Sequence, residues 1–483
     1  MRWLLAATAL SAALLTGAAA APAADIGAND DSGKYAPDAG AALYAQMASL
    51  GMRQVVIPAR FKPSEPLVVQ DKAALDATIP AAVAAGLKVV LDVYPYPTRE
   101  IEQGLATPSL FGSYAGELAD IYPQVKQFIV GNEPNQPAFW RPQFGSGGHN
   151  VSAAAFGQLL ATTYDSLKAV DPKITVVGVG LSPRGNDRPD ARNNISTSPV
   201  RFLRALGTWY RASGRDKPLM DAFSFHPYPN KATDPLDRGY AWPNAGFVNL
   251  DRIKQALWDA FQGTPQATTL QGLKLDLDEV GWQVGTEGEP GYTGSENVPV
   301  TDEATQAAIY GDLVWRAACD PDIAEVSFFG FQDDGSRLGF QAGLEGLDGI
   351  LRPSATAVAA AIAAGAGGCP QPAKRWSPGS QVVGAHVAVS ARKPRIEVKV
   401  TAGEDASVLV CAGRPGSLHG SGLARVRKAG GCRGAAVSGM RALNLALPGP
   451  ERLKRRVEVR VELRATANAL RRTLLLKEVV VRR

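Results

Sequence analysis

VKQFIVGNEPN, residues 125–135, gives the strongest indication of how this chain folds. Its first half has the apolar composition of a β-strand, and the Gly-Asn-Glu turn that follows places Glu133 directly after the strand. A second stretch, LKLDLDEVGW at 273–282, repeats the arrangement, because its alternating leucines lead to Glu279. Both stretches therefore predict a strand that presents a glutamate at its carboxyl end.

Strand-like and helix-like segments alternate between residue 25 and about residue 364. The strand-like segments are 26–28, 54–57, 87–93, 125–130, 174–179, 222–225, 273–277 and 326–329. The amphipathic segments include 39–50, 154–170, 200–212, 250–261 and 303–319, and 355–364 would be the closing helix. This alternation predicts a parallel sheet, and eight repeats are the number that closes a (β/α)8 TIM barrel. A doubly wound open sheet is the alternative, but no G-x-G-x-x-G follows an early strand.

The chain divides into four segments by composition. Residues 1–24 have the basic start, apolar run and small-residue end of a signal peptide, and residues 25–368 would form the barrel. Residues 369–378 have the proline content of a linker. Residues 379–483 contain short valine-rich alternating runs with Gly and Pro turns, which predict a small antiparallel β-sandwich. We therefore expect a secreted protein with no membrane span after signal cleavage.

The four cysteines fit an oxidising compartment. Pairing Cys319 with Cys369 and Cys411 with Cys432 keeps each bridge local, although four cysteines allow three connectivities. No Cys-x-x-Cys occurs, and the four histidines form no spaced cluster. We therefore expect no metal site and no cofactor.

Charge is distributed unevenly along the chain. Residues 372–483 carry a balance of +16, whereas the remainder carries −11, within a total of +5. The basic region would suit an anionic cell-wall polymer, although a solvated basic face is the more common source of such a charge excess. We expect no nucleic-acid partner.

The two strand-end glutamates have the chemistry needed to cleave a glycosidic bond. One carboxyl group protonates the leaving oxygen, and the other attacks the anomeric carbon or activates water. GNEPN with a later Glu-x-Gly-Trp resembles the clan of retaining β-glycosidases that includes the cellulase-like family 5 and the xylosidase-like family 39. The resemblance covers residues 25–364. It implies that Glu133 is the acid/base and Glu279 the nucleophile of a two-glutamate double displacement.

The resemblance also implies roles for residues near other strand ends. Asn132 would hydrogen-bond the 2-hydroxyl of the sugar, and His226 and Tyr228 would orient the nucleophile and the sugar. Arg60 would be the strand-two arginine that keeps the nucleophile ionised, because a nearby cation lowers the pKa of a carboxyl group. Aromatic rings just past predicted strands could stack on sugars, and they are Tyr96, Trp140 and Trp282.

Two features depart from the clan pattern. Asp278 stands before the nucleophile, where Thr or Ser is usual, and strict alternation places it with Lys274 and Asp276 on the side of the strand opposite Glu279. The strand-eight tryptophan is missing, and Phe329 and Phe331 occupy that region. We therefore expect a secreted glycosidase that hydrolyses a β-linked poly- or oligosaccharide, and the alternative is a non-catalytic carbohydrate-binding or cell-surface-attached barrel protein.

Overall fold

The computed structural model describes residues 24–296, 298–370, 372–373, 376–378, 386–392, 395–402, 405–437, 442–448, 456–466 and 472–481. Eight parallel strands form a closed barrel in which each strand pairs with the next and the eighth pairs with the first. They are β1 (Asp25–Asn29), β2 (Gln54–Pro58), β3 (Lys88–Val93), β4 (Gln127–Val130), β5 (Thr175–Leu181), β6 (Ala222–Phe225), β7 (Lys274–Val280) and β8 (Ile323–Phe329). The predicted (β/α)8 fold is confirmed.

Helices follow the strands and carry the apolar faces predicted from their spacing. They are α1 (Ser32–Tyr35), α2 (Ala41–Ser49), α3 (Lys72–Ala84), α4 (Thr98–Glu102), α5 (Pro108–Ile121), α6 (Ser152–Val170), α7 (Pro199–Ser213), α8 (Leu250–Phe261), α9 (Glu303–Cys319) and α10 (Pro353–Gly365). The main hydrophobic core includes buried residues from both strands and helices. This packing stabilises the outer wall of the barrel, because each helix buries its apolar side chains against the sheet.

The interior of the barrel is filled in layers. Val56, Val90, Ile129 and Val177 form an apolar cluster separate from the main core. Polar side chains lie nearer the amino ends of the strands, where Gln54 donates a hydrogen bond of 2.9 Å to Ser327. The interior is therefore packed, and only the carboxyl end of the barrel is left for a binding cleft.

Strand β7 corrects the expectation of strict alternation. Asp276 and Asp278 are buried and contact inward-facing side chains of β4 and β6, whereas Lys274 is exposed at the start of the strand. The register of β7 against β8 is irregular between Leu277 and Val280. Glu279 lies in this irregular segment. Its side chain therefore lies on the same side of β7 as that of Asp278, at the carboxyl end of the barrel, and not on the opposite side of the strand.

The C-terminal region contains two antiparallel sheets. One has three strands, ordered β13 (Ala442–Pro448), β10 (Arg395–Thr401) and β9 (His386–Arg392). The other has four, ordered β12 (Cys432–Val437), β11 (Ala406–Gly413), β14 (Arg456–Ala465) and β15 (Arg472–Val480). Valines of both sheets share one hydrophobic core, as the predicted sandwich requires. Helix α11 (Gly420–Lys428) was not predicted.

Of the three connectivities that four cysteines allow, the structure has the one in which both bridges are local. Cys319 bonds to Cys369, and Cys411 bonds to Cys432. Within the described ranges, no helix has the length and apolarity needed to cross a membrane. The predicted signal peptide lies outside the described residues except for its last position, and the domain boundaries remain predictions.

Candidate active site

Glu133 and Glu279 line one cleft at the carboxyl end of the barrel. Glu133 follows β4 and has a backbone φ of +41°, in the left-handed region that costs a non-glycine residue about 1 kcal/mol. Its N–H donates to the carbonyl of Gly180 at 2.7 Å, which anchors the turn to β5. Glu279 reaches the cleft from the end of β7 and is 8 % exposed. Two different strands therefore hold the two carboxyl groups in place.

His226 lies between the two glutamates. Its Nδ1 is 3.2 Å from Oε1 of Glu133 and 3.4 Å from Oε2 of Glu279. Its other ring nitrogen, Nε2, is 3.5 Å from Oδ2 of Asp278. The imidazole is 1 % exposed, so its contacts are with protein groups more than with solvent. We call Glu133, His226, Asp278 and Glu279 the carboxyl-end cluster.

The electrostatics of this cluster favour a positively charged histidine. Burial alone would lower the pKa of His226, but the negative charges of Glu279 and Asp278 outweigh burial and hold the pKa well above its ordinary value. Burial raises the pKa of Glu279 to about 7, against the opposing effect of the His226 cation. The imidazolium thus stabilises the ionised form of a carboxyl group that its surroundings would otherwise keep protonated.

Two further side chains hold Glu279. The hydroxyl of Tyr228 donates to Oε2 at 3.0 Å, and Nδ2 of Asn29 lies 3.5 Å from Oε1. Burial raises the pKa of Tyr228 well above its ordinary value, so the phenol keeps the proton that it donates. Both oxygens of Glu279 therefore have a donor, which fixes the orientation of the carboxylate.

The cleft has a volume of about 610 Å³ and an aromatic wall. Phe329 and Phe340 line it, and both rings pack edge-to-face against Tyr228, with centroids 6.4 and 5.3 Å away. Phe331, in contrast, is fully buried. Phe329 and Phe340 thus offer the apolar surface that the missing strand-eight tryptophan would have supplied.

Arg60 lines the cleft but contacts other groups than the nucleophile. Its Nε donates to the hydroxyl of Tyr94 at 2.9 Å, and its Nη2 is 3.5 Å from Asp31. Among the described contacts none joins Arg60 to Glu279. The cation nearest Glu279 is His226 instead, so the expected role of Arg60 has no geometric support. Tyr96 is 45 % exposed, and its ring lies 5.9 Å from the Arg60 guanidinium.

Trp140 and Trp282 lie in the hydrophobic core, which corrects the expectation that they stack on sugar. They are 5 % and 2 % exposed, and neither lines the cleft. Trp140 packs against Phe156, and the indole N–H of Trp282 donates to a backbone carbonyl at 2.8 Å. Their positions after strands in the sequence could not reveal that the loops direct both indoles into the hydrophobic core.

The two asparagines of GNEPN have different surroundings. Asn132 lines the cleft, and its buried Oδ1 accepts no hydrogen bond from the described residues. Asn135 is fully buried and exchanges hydrogen bonds with the backbone of Ser182, at 3.0 and 3.1 Å. Asn135 therefore fastens the turn after β4 to the loop after β5.

Three polar contributors were missed from the sequence. Asn29 ends β1 against Glu279, and Ser224 donates a hydrogen bond to Asp278. Burial and the charges of Asp278 and Glu279 raise the pKa of Asp92, which also lines the cleft, well above its ordinary value. Each is a polar residue in an otherwise apolar strand, and that pattern could have identified all three. Among the residues that the structure describes, no group of His, Cys, Asp or Glu is arranged to hold a metal ion.

No protein-family model and no curated protein matches the chain. Solved structures do. GH5_18 from Streptomyces cattleya in complex with GlcNAc is 17% identical, with a TM-score of 0.50 over 74% of this chain and 83% of that one. A family 39 glycoside hydrolase from the gut symbiont Bacteroides cellulosilyticus WH2 is 15% identical, with a TM-score of 0.47 over 81% of this chain and 75% of that one.

The endo-1,4-beta-mannanase from Rhizomucor miehei is 15% identical, with a TM-score of 0.45 over 71% of this chain and 96% of that one. At these identities the similarity concerns the fold. It agrees with the closed eight-stranded barrel of this chain.

Proposed function

We propose that the chain is a retaining glycoside hydrolase that acts on a β-linked poly- or oligosaccharide. The observation that carries this proposal is the convergence of Glu133 and Glu279 on one imidazole in one cleft. Two carboxyl groups facing a cavity of sugar size are the groups that glycoside hydrolysis requires. The barrel shared with solved glycoside hydrolases agrees with this reaction but does not select it.

The distances support retention over inversion. One oxygen of each glutamate lies within 3.4 Å of the same nitrogen of His226, so these two oxygens cannot be farther apart than the sum of 3.2 and 3.4 Å. Carboxyl groups are about 5–5.5 Å apart in retaining enzymes and about 6.5–9.5 Å apart in inverting ones. The bound on the two nearest oxygens favours the shorter separation of retaining enzymes, because a water molecule would have little room between these oxygens.

The proposed reaction has two displacements. Glu279 attacks the anomeric carbon while Glu133 gives its proton to the glycosidic oxygen, and the bond to the leaving group breaks. Glu133, now a carboxylate, removes a proton from water, which attacks the same carbon and releases Glu279. Tyr228 and Asn29 hold the nucleophile throughout, and Asn132 is placed to bind a sugar hydroxyl. The two steps together retain the anomeric configuration.

We also propose that the protein is secreted. Two disulfides stabilise the described chain, and such bonds persist in oxidising compartments. The leader-like composition of residues 1–24 agrees with export.

Hydrolysis of a substrate panel tests the activity. Wild type, Glu133→Ala and Glu279→Ala would be assayed on aryl β-glycosides and on β-glucan, xylan, mannan and galactan. We expect turnover of at least one substrate by wild type and its collapse in both variants. Turnover that survives the loss of either glutamate would rule out the two-glutamate mechanism. Saturable binding without turnover in wild type would favour the alternative, a non-catalytic carbohydrate-binding barrel.

For the C-terminal region, an anionic cell-wall polymer remains the proposed partner. Its basis is the charge of +16 in residues 372–483, and helix α11 ends in the basic residues Arg425, Arg427 and Lys428. Cosedimentation of the full chain with an anionic polymer should fall as salt rises from 0.05 to 0.5 M, since exposed charges are screened beyond about 10 Å at 0.1 M. Binding that is absent at low salt would leave these charges as a solvated face.

A further inference from the structure

Two cavities meet at Glu133. The larger, of about 610 Å³, contains both Glu133 and Glu279, whereas the smaller, of about 330 Å³, contains Glu133 without Glu279. In the proposed mechanism, on which this inference rests, the nucleophile contacts the sugar that forms the intermediate and the acid contacts the leaving oxygen. The larger cavity therefore receives the glycon, and the smaller cavity receives the leaving group.

The glycon cavity is lined by acidic groups. Besides the two glutamates it contains Asp30, Asp31, Asp92, Asp333 and Asp334. Among the described residues its lining has one cation, Arg60, and this guanidinium already lies beside Asp31. Asp333 is paired with the buried Arg352, and burial raises the pKa of Asp92, so these two carboxyl groups add little to the negative charge of the cavity. A cavity with this balance of charge disfavours an anionic glycon, because bringing like charges together in a cleft is unfavourable.

The leaving-group cavity has the opposite character. Arg184, from the loop after β5, and Lys231, from the loop after β6, line it, and Glu133 is the only acidic residue of its lining. Arg184 donates to the backbone carbonyl of Asn230 at 3.2 Å, and no ion pair among the described residues involves Arg184 or Lys231. Both cations are exposed to the cavity and have no carboxylate partner there.

The position of Arg184 is fixed relative to the acid. Asn135, two residues after Glu133, holds Ser182, two residues before Arg184, through the two hydrogen bonds already described. The side chain of Gln136 also donates to the carbonyl of Arg184. The turn that positions the proton donor and the loop that carries the cation are therefore joined.

The same sign of charge continues beyond this cavity. A third cavity, of about 430 Å³, shares Asn194 with the leaving-group cavity. Its lining contains Arg141 and Arg192 against one acidic residue, Glu102. Cations therefore outnumber carboxylates along the leaving-group side, whereas the reverse holds on the glycon side.

We infer that the substrate carries an anionic group, a carboxylate or a sulfate, on its leaving-group side and that its glycon is neutral or cationic. Arg184 and Lys231 bind this group. Arginine matches carboxylate and sulfate oxygens with paired N–H donors, and lysine adds a point charge. Part of the binding energy of the substrate then comes from a group that lies beyond the bond being cleaved.

Matched aryl glycosides test this inference. The 4-carboxyphenyl, 4-sulfophenyl and 4-carbamoylphenyl β-glycosides of glucose, mannose, xylose, galactose and N-acetylglucosamine differ in leaving-group charge at similar size. The readout is the ratio of kcat/KM for each anionic glycoside to that for its neutral amide. It is compared between wild type and the double variant Arg184→Gln/Lys231→Gln, so the intrinsic reactivity of each phenol cancels.

The control removes the same two residue types from the opposite end of the barrel. Arg53 and Lys173 are exposed and lie just before β2 and β5. We expect the charge ratio to fall about tenfold in Arg184→Gln/Lys231→Gln and to stay at the wild-type value in Arg53→Gln/Lys173→Gln, since each exposed ion pair contributes modestly and two are lost. Comparison of the carboxyphenyl and sulfophenyl ratios shows which anion is preferred.

Calorimetric binding of the same glycosides to Glu279→Gln separates the two proposals. Turnover by wild type with an equal charge ratio in the double variant would overturn this inference and leave the glycosidase proposal standing. A third outcome is that wild type shows no turnover, while binding prefers the anionic glycoside and this preference is lost in Glu279→Gln/Arg184→Gln/Lys231→Gln. This outcome would support the inference and contradict hydrolysis. Neither turnover nor charge-dependent binding would overturn both.

Discussion

Buried carboxyl groups lie at both ends of the barrel, and the side chains around them differ between the two ends. In the carboxyl-end cluster, Glu133, Asp278 and Glu279 surround the cation of His226, and the two glutamates also face a cleft. At the other end, Gln127 donates to Asp276 at 3.2 Å and to Glu325 at 2.7 Å, and Lys88 donates to Glu325 at 2.6 Å. We call Lys88, Gln127, Asp276 and Glu325 the amino-end cluster.

The two clusters differ in how their surroundings affect the pKa of a buried carboxyl group. Burial, together with the charge of Glu325, raises the pKa of Asp276 well above its ordinary value, so the surroundings disfavour the ionised form of this carboxyl group. Glu279 is buried as well, but His226 opposes the rise and its pKa stays at about 7. Burial alone therefore does not identify a reactive carboxyl group. A nearby cation and an open cleft separate the reactive group from the structural one.

The same conservative change, Glu to Gln, should lower kcat/KM strongly at the carboxyl end and hardly at all at the amino end. Glu279→Gln removes the proposed nucleophile and should lower kcat/KM by about 10⁴-fold or more. Glu325→Gln, in the amino-end cluster, should change kcat/KM by less than about threefold, because it lies below the packed interior of the barrel. Initial rates on the best substrate of the panel would measure both. Equal losses at the two ends would contradict the distinction drawn here.

Changes near the amino end of the barrel should instead alter the free energy of unfolding. Cys319 ends α9, just before β8, and its bond to Cys369 closes a segment with a sequence separation of 50. Cys319→Ala/Cys369→Ala should lower the free energy of unfolding of the barrel by about 3–4 kcal/mol, because the unfolded chain gains freedom. Urea titration followed by activity would measure it, and Cys411→Ala/Cys432→Ala is the control that should leave this transition in place. A loss of activity in the folded protein at 25 °C would place the bridge in the site.

His226→Gln should make the pKa of Glu279 more like that of the buried carboxyl group at the amino end, because the nearby cation is lost. The cation opposes the rise in the pKa of Glu279, so its removal should raise that pKa above 7. The ionised nucleophile then forms only at higher pH, and the acidic limb of the kcat/KM profile should shift to the alkaline side. A shift of one unit corresponds to about tenfold lower kcat/KM at pH 6. His149→Gln, at an exposed histidine, should keep the wild-type profile, and an unmoved limb in His226→Gln would exclude His226 from this role.

Asp276→Asn should give the smallest effect, a pH-dependent gain in stability. Because the folded-state pKa of Asp276 is raised, its contribution to stability is complete below its unfolded pKa and is lost as pH rises through the folded value. The variant lacks this loss, so its Tm relative to wild type should be higher at pH 8 than at pH 5, by about 2 °C. Asp120→Asn, at an exposed aspartate, provides the baseline. A Tm difference that does not change with pH would show that Asp276 is already ionised in the folded protein.

Much of this architecture could be predicted from local patterns. The eight strands and the strand-end positions of Glu133 and Glu279 follow from apolar runs and from what stands after them, whereas the disulfide connectivity was one of three that the sequence left open. The contacts of His226 could not be predicted, because they depend on how β4, β6 and β7 pack around it. Strict alternation failed at Glu279, since period two holds only while the register with the neighbouring strand is regular.

Aromatic residues were the least predictable part of the site. Trp140 and Phe340 lie at similar distances after the ends of β4 and β8, yet Trp140 turns into the core, as Trp282 does, whereas Phe340 reaches the cleft. Loop paths decide these orientations, and no periodicity encodes them. Arg60 was placed in the correct cleft, but its partner is Tyr94, because the sequence gives a strand position and not a contact.

Azide rescue of the two alanine variants tests the central claim most directly. In Glu279→Ala, azide would replace the nucleophile in the first displacement and give a glycosyl azide of inverted configuration. In Glu133→Ala it would replace water in the second displacement and give a glycosyl azide of retained configuration. Proton NMR of the anomeric signal distinguishes the two products. We predict opposite anomers from the two variants, and the same anomer from both would contradict the assignment of Glu279 as nucleophile and Glu133 as acid/base.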